Sequence, residues 1–164
     1  MAPRSPDRSL AVFDLDGTLA DVRHRLHHVE GPSRDWDAFF AAAPEDPPLA
    51  EGVALALESA EEHEVAYVTG RPERCRRDTL RWLARHGLPD GRLLMRGGRD
   101  RRPARVVKPE LLLRLADNRT VALVVDDDHQ VCDAYERAGF PVVRAGWMTA
   151  RPVLEQVQER EGRT

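Results

Sequence analysis

Lysine is almost missing from this sequence: of 25 Lys and Arg residues in a chain of 164, 24 are arginine and one, Lys108, is lysine. Cysteine is nearly as scarce. Cys75 and Cys132 cannot build a disulfide framework and lack metal-site spacing, so both read as plain thiols. No apolar run approaches the ~18 residues that cross a bilayer, which argues against a membrane-spanning chain. The opening MAPRSPDRSLAVFDLDG has too short an apolar patch for a signal peptide, and the expected location is cytoplasmic. A net charge of −3 speaks against holding nucleic acid by a global field. The local distribution is less neutral. RGGRDRRPAR at 96 to 105 sets five arginines against one aspartate, and Arg71, Arg74, Arg76 and Arg77 form a second basic cluster; the two read either as a solvated loop and helix face or as a groove for a phosphate-rich ligand.

What is present is an alternation. Strand-length apolar runs occur at LAVF (10 to 13), EVAYV (64 to 68), RLLM (92 to 95), TVALVV (120 to 125) and PVVRA (141 to 145). Amphipathic stretches lie between them near 50 to 62, 73 to 87, 108 to 117 and 129 to 139, with a last near 150 to 161. Strands that are apolar throughout, spaced by helices, indicate a parallel sheet covered on both faces. The expected class is three-layer α/β, in one domain spanning 1 to 164; a chain of this length buries roughly 70% of its unfolded surface. Residues 19 to 49 break the alternation with Gly31-Pro32-Ser33, Pro44, Pro47 and Pro48 around WDAFFAAA, and read as an insertion after the first strand, with 20 to 49 a small cap or lid. Trp36, Phe39 and Phe40 are expected to pack this lid on the body. His24, His27 and His28 lack further ligands at useful spacing and are assigned to its surface.

In open α/β sheets the ligand crevice lies at the carboxyl ends of the strands. Asp14, Asp16, Thr69, Asp126 and Asp127 stand there. Carboxylates crowded at one place repel unless a cation lies between them, and an oxygen-liganded ion such as Mg²⁺ suits them.

FDLDGTLAD at 13 to 21 is the most specific signal. It resembles the first motif of the haloacid dehalogenase (HAD) superfamily of phosphohydrolases. The resemblance implies that Asp14 attacks phosphorus and Asp16 serves as general acid and base. Gly17 and Thr18 should turn the chain with free N–H groups facing the phosphoryl oxygens. VTGR at 68 to 71 looks like the second motif, with Thr69 orienting the phosphoryl group and Gly70 beside it. Lys108 stands for the third, opening a helix with Pro109 at its first position. VVDDD at 124 to 128 looks like the fourth, so the implied Mg²⁺ ligands are Asp14, Asp16, Asp126 and Asp127; Asp128 is left to cap the next helix. The implied sheet has five parallel strands in the order 3-2-1-4-5.

Within the superfamily the sequence resembles the phosphatase domain of phage-type polynucleotide kinase/phosphatase, which removes 3′-phosphate from nucleic acid ends. DLDGTLADVRHR places Arg25 seven residues after Thr18, Arg71 follows the Gly of motif two, and DDDHQV keeps Gln130 downstream of the acids. Arg25 and Arg71 are implied to grip substrate phosphate. Where that family has a functional Asp four residues before the lysine, this chain has Ala104. No GxxxxGK[ST] loop is present, so a kinase or ligase function would come from a partner. The alternatives are a phosphatase of nucleotides or sugar phosphates, and a phosphate-binding module without catalysis. Intact Asp14, Asp16, Lys108 and Asp126 weigh against the last.

Overall fold

The structure is a computed structural model, and it describes residues 8–148 and 152–164. The first seven residues, part of the segment read against a signal peptide, and positions 149–151, where the last expected helix begins, lie outside the described residues.

Five parallel strands, β1 (Leu10–Phe13), β2 (Glu64–Pro72), β3 (Leu93–Arg96), β4 (Val121–Asp126) and β5 (Val142–Arg144), pair in the order β3-β2-β1-β4-β5. This is the expected order. Strand residues alternate between two apolar layers. Ala11, Phe13, Val65, Tyr67, Leu93 and Met95 face one cluster, while Leu10, Val12, Ala66, Val68 and Leu94 face the other. The second layer is closed by α4 (Ala104–Ala116) and α5 (His129–Arg137) through Val107, Leu111, Leu112, Leu115, Val131 and Tyr135. The first is closed by α2 (Ala50–Glu62) and α3 (Arg76–Arg85), with Ala56, Trp82 and Leu83. It is also closed by the segment after β1. That segment holds a 3-10 turn (Arg23–Val29), α1 (Trp36–Ala41) and a second 3-10 turn (Ala43–Glu45), and it sends Val22, Leu26, Val29, Phe39, Phe40 and Leu49 into the same core as β1 and β2. Each fully buried large aliphatic or aromatic side chain contributes roughly 1.5–3 kcal/mol, so the insertion is bound to the body by its own apolar surface.

Two boundaries differ from expectation. β2 runs on to Pro72, and between Thr69, opposite Met95, and Pro72, opposite Arg96, the register shifts. This bulge carries Gly70 and Arg71, and re-aims the arginine. Helix α4 begins at Ala104, behind Pro103 as N-cap, so Lys108 does not open it and Pro109 lies inside. Its core-facing stripe is Ala104, Val107, Lys108, Leu111, Leu112 and Leu115, which is helical spacing. The lysine therefore occupies a buried-face position, one turn in. Its ammonium points at the strand ends. Beyond the undescribed residues the chain forms a short α6 (Pro152–Glu155) and a π-helical turn (Gln156–Arg160) in place of one continuous amphipathic helix.

Candidate active site

Asp14 follows β1 directly, its N–H donating to the Val125 carbonyl at 2.9 Å, so its position is tied to the central strand pair. One carboxylate oxygen accepts from Lys108 Nζ at 2.8 Å and the other from the Thr18 hydroxyl at 3.0 Å. The same Lys108 ammonium donates to Asp126 Oδ2 at 2.8 Å, while Asp126 Oδ1 accepts from the Asp128 N–H at 2.9 Å. Asp14, Asp126 and Asp127 offer one oxygen each within 4.8 Å of one another, and Asp127 Oδ1 is buried with no hydrogen-bond partner. Gly17, at φ +85°, is required where it stands, because a side chain there would run into the Asp127 carboxylate.

Three clustered carboxylates therefore share one ammonium, which bonds two of them. Burial first, and then the Asp14 charge, push the Asp126 carboxyl up to about 7 against the pull of Lys108. Burial, with Asp14 and Asp126 behind it, raises Asp127 well above the usual carboxylate range. Burial alone would lower Lys108, but Asp126 and Asp14 outweigh it and hold the ammonium charged. An all-oxygen donor set with surplus negative charge and an unsatisfied buried oxygen fits a hard divalent cation.

Asp16 is not part of this cluster, contrary to its assignment among the metal ligands. Its side chain turns to Arg71 (Nε 2.9 Å and Nη2 2.6 Å to Oδ1) and Arg25 (Nη2 3.1 Å). Burial would raise its carboxyl, but Arg71 and Arg25 together hold it well below the ordinary range. Both arginines also grip Asp46: Arg25 through Nε at 2.7 Å and Nη2 at 2.9 Å, Arg71 through Nη2 at 3.0 Å. His24 Nε2 lies 2.6 Å from the same carboxylate, and the Trp82 indole donates to the Asp46 carbonyl at 2.8 Å. Arg25 further lies over the Phe39 ring at 4.3 Å. All of Asp16, Asp46, Arg25 and Arg71 are buried. The two guanidinium groups expected to face substrate thus orient the acid beside it. Asp46 escapes sequence reasoning, being one of two adjacent acids between prolines, outside any strand or helix pattern.

The other candidates are near but differently engaged. Gly17 and Thr18 do not present free amides: the Gly17 N–H donates to the Ala20 carbonyl at 2.9 Å and the Thr18 N–H to that of Leu15 at 3.0 Å, because the turn closes on itself. It is the Thr18 hydroxyl that reaches Asp14. Thr69 is fully buried and its hydroxyl accepts from the Arg71 N–H at 3.1 Å, holding the bulge in shape. The Gly70 carbonyl accepts from Arg96 Nε at 2.9 Å. Asp128 caps α5, accepting from the N–H groups of Gln130 (2.9 Å) and Val131 (3.3 Å). Ala104 is buried, and both cysteines are free and buried. Phe39 and Phe40 sit in the core with Trp36 packed against it, the packing expected of these aromatic side chains.

The model of the polynucleotide kinase PNKP phosphatase domain matches residues 8–146. The chain belongs to this family. It is accordingly a phosphatase of the HAD superfamily. Among solved structures, this PNKP-type domain is similar to a chain of the Pnkp1/Rnl/Hen1 RNA repair complex, with 24% identity and a TM-score of 0.71 over 88% of this chain and 44% of the other. A chain of a second Pnkp1/Rnl/Hen1 complex gives 25% identity and a TM-score of 0.69 over 85% and 46%. A HAD-like hydrolase from Streptococcus pneumoniae shares the fold at 14% identity, with a TM-score of 0.62 over 93% and 91%. The chain spans less than half of the Pnkp1-complex chains it resembles. No curated protein matches it. No helix among the described residues is long and apolar enough to cross a membrane.

Proposed function

We propose that this phosphatase removes the 3′-phosphate from nucleic acid ends, with Asp14 as nucleophile and Asp16 as general acid and base. The observation that carries the chemistry is the placement of Asp14, pinned between the Lys108 ammonium and the Thr18 hydroxyl at the strand ends, with the arginine-held Asp16 two residues on. An Asp14 oxygen attacks phosphorus. The bond from phosphorus to the ester oxygen breaks as that oxygen takes the proton of Asp16, leaving an alcohol and an aspartyl-phosphate. Asp16, now a carboxylate, takes a proton from water, the water oxygen attacks phosphorus, and the bond to Asp14 breaks to release inorganic phosphate. Lys108 offsets the charge that accumulates beside Asp14 throughout. Thr69 and Gly70 shape the wall next to it. A substrate phosphate arriving beside Arg71 shares that guanidinium, which raises Asp16 toward the range where it carries a proton.

Mg²⁺ would be held by Asp14, Asp126 and Asp127, where it cancels the repulsion between carboxylate and phosphate dianion. Residues 1 to 164 act as one domain, with 20 to 49 as its lid, in the cytoplasm. The substrate class draws on the family match and on the basic segments around 71 to 77 and 96 to 105. Kinase and ligase partners, which the RNA repair assembly containing a similar chain suggests, would complete the repair of an end.

The test is a substrate panel with Mg²⁺: an aryl phosphate, a 3′-phosphorylated oligonucleotide, its 5′-phosphorylated isomer and mononucleotides. The 3′-phosphorylated oligonucleotide should show the highest kcat/KM, and Asp14→Asn should abolish turnover of every substrate. Unchanged aryl phosphate turnover in Asp14→Asn would overturn the covalent mechanism; a large preference for mononucleotides would leave the mechanism and overturn the polynucleotide reading.

A further inference from the structure

The segment that follows α6 crosses the mouth of the site and places Thr164 inside it. Leu154 and Val157 anchor it in the main core. From there the Glu159 carboxylate accepts from Arg105 at 2.7 Å, and Glu161 accepts from Arg34 at 3.1 and 2.9 Å. Gly162, at φ +58°, presses its backbone against the carbonyls of Arg101 and Arg102, where a side chain would not fit. Arg163 lies over the Trp36 ring at 4.6 Å. Thr164 is 2% exposed, its backbone fills the space that a side chain at Gly70 would take, and its hydroxyl donates to Asp16 Oδ2.

A hydroxyl donating to the Asp16 carboxylate is the arrangement left when Asp16 has just protonated an ester oxygen. The threonine hydroxyl is a secondary alcohol, as is the 3′-hydroxyl of a nucleoside. We propose that residues 161 to 164 are a built-in competitor that fills the leaving-group subsite, Thr164 standing on Asp16 in place of the secondary alcohol that the reaction frees. This rests on the reading of Asp16 as the acid and base of a phosphatase. The outer end of the same path is a groove of about 450 Å³ whose lining sets Arg34, Arg74, Arg101 and Arg163 against Asp35 and Asp37, with Trp36 between them. A polyanionic strand entering there competes with Glu161 for Arg34 and with Trp36 for Arg163, and so loosens the segment that blocks Asp16. A small phosphate ester has no such means. The segment thereby selects for substrates that carry a chain behind the phosphate, since a ligand that needs a minor open state binds more weakly by the fraction that is open.

Two variants test this, one lacking residues 161–164 and one full-length Gly162→Val; both keep Leu154 and Val157, and thermal melting checks that both fold. The KM for an aryl phosphate should fall about tenfold in each, and that for a 3′-phosphorylated oligonucleotide much less. Thr164→Ala should show part of the same fall. If folded variants hydrolyse the aryl phosphate with the wild-type KM, the competitor is refuted and the phosphatase reading stands. If neither wild type nor variants hydrolyse any phosphate ester with Mg²⁺ present, the reading of Asp16 falls, and the competitor with it.

Discussion

At position 108 an ammonium lies 2.8 Å from both Asp14 and Asp126, buried to 1% exposure. A guanidinium is longer and wider than an ammonium and fixes its donors in a planar fork, so at this stem position it would displace the two carboxylates that the compact ammonium holds. Lys108→Arg should fold and lose on the order of 10²-fold in kcat, measured on an aryl phosphate with Mg²⁺; near-wild-type turnover would mean that any cation serves. Asp46 poses the complementary case. Asp46→Asn leaves Arg25 and Arg71 buried with only Asp16 to neutralise them, and should lower the unfolding free energy by about 3–5 kcal/mol in urea titrations. A loss below ~1 kcal/mol would show that water enters the network. These two residues mark what sequence makes legible. Asp14, Asp16, Lys108, Asp126 and Asp127 stand at the ends of apolar runs or beside a helical pattern, where local spacing exposes them. Asp46 becomes a hub only once the segment after β1 folds back on α3, and no local pattern announces that. The roles of Arg25 and Arg71 were hidden for the same reason: a guanidinium can face phosphate or carboxylate, and the choice depends on an acid 21 or 25 residues away.

Among the elements, the strands were readable because each is a continuous apolar run, and their order followed from the family resemblance. Boundaries were harder. Pro109 suggested a helix start, since proline tolerates the first turn, yet α4 already begins at Ala104 and accommodates the proline in its second turn. The bulge in β2 was invisible, because the polar Thr69-Gly70-Arg71 looks like a turn although the chain continues alongside β3. Close approach of elements also overrides propensity. Gly52 lies within α2, where alanine would ordinarily stabilise by about 1 kcal/mol. A β-carbon there would meet the Thr18 carbonyl of the turn after β1. Gly52→Ala should therefore lower stability, by roughly 1–3 kcal/mol, and reduce turnover by displacing the Thr18 hydroxyl from Asp14. A rise in melting temperature would show that the helix moves away freely.

For the molecule as a whole, the three-layer fold brings its acids together without enough positive charge to match them, so stability should respond to divalent cations. Ligand that binds only the folded state raises the melting temperature by mass action. Mg²⁺ at millimolar concentration should raise it by several degrees, EDTA should reverse the gain, and Asp127→Asn should remove most of it; identical melting curves with and without Mg²⁺ would refute a cation at this cluster. The arginine bias gives one more property of the folded chain. Since the sole lysine is sealed between two carboxylates beneath α4, no side-chain amine reaches solvent. Reagents and enzymes that modify lysine side chains therefore meet no ε-amine on the native surface, so acylation at residue 108 becomes a direct chemical clock for the opening of the catalytic core.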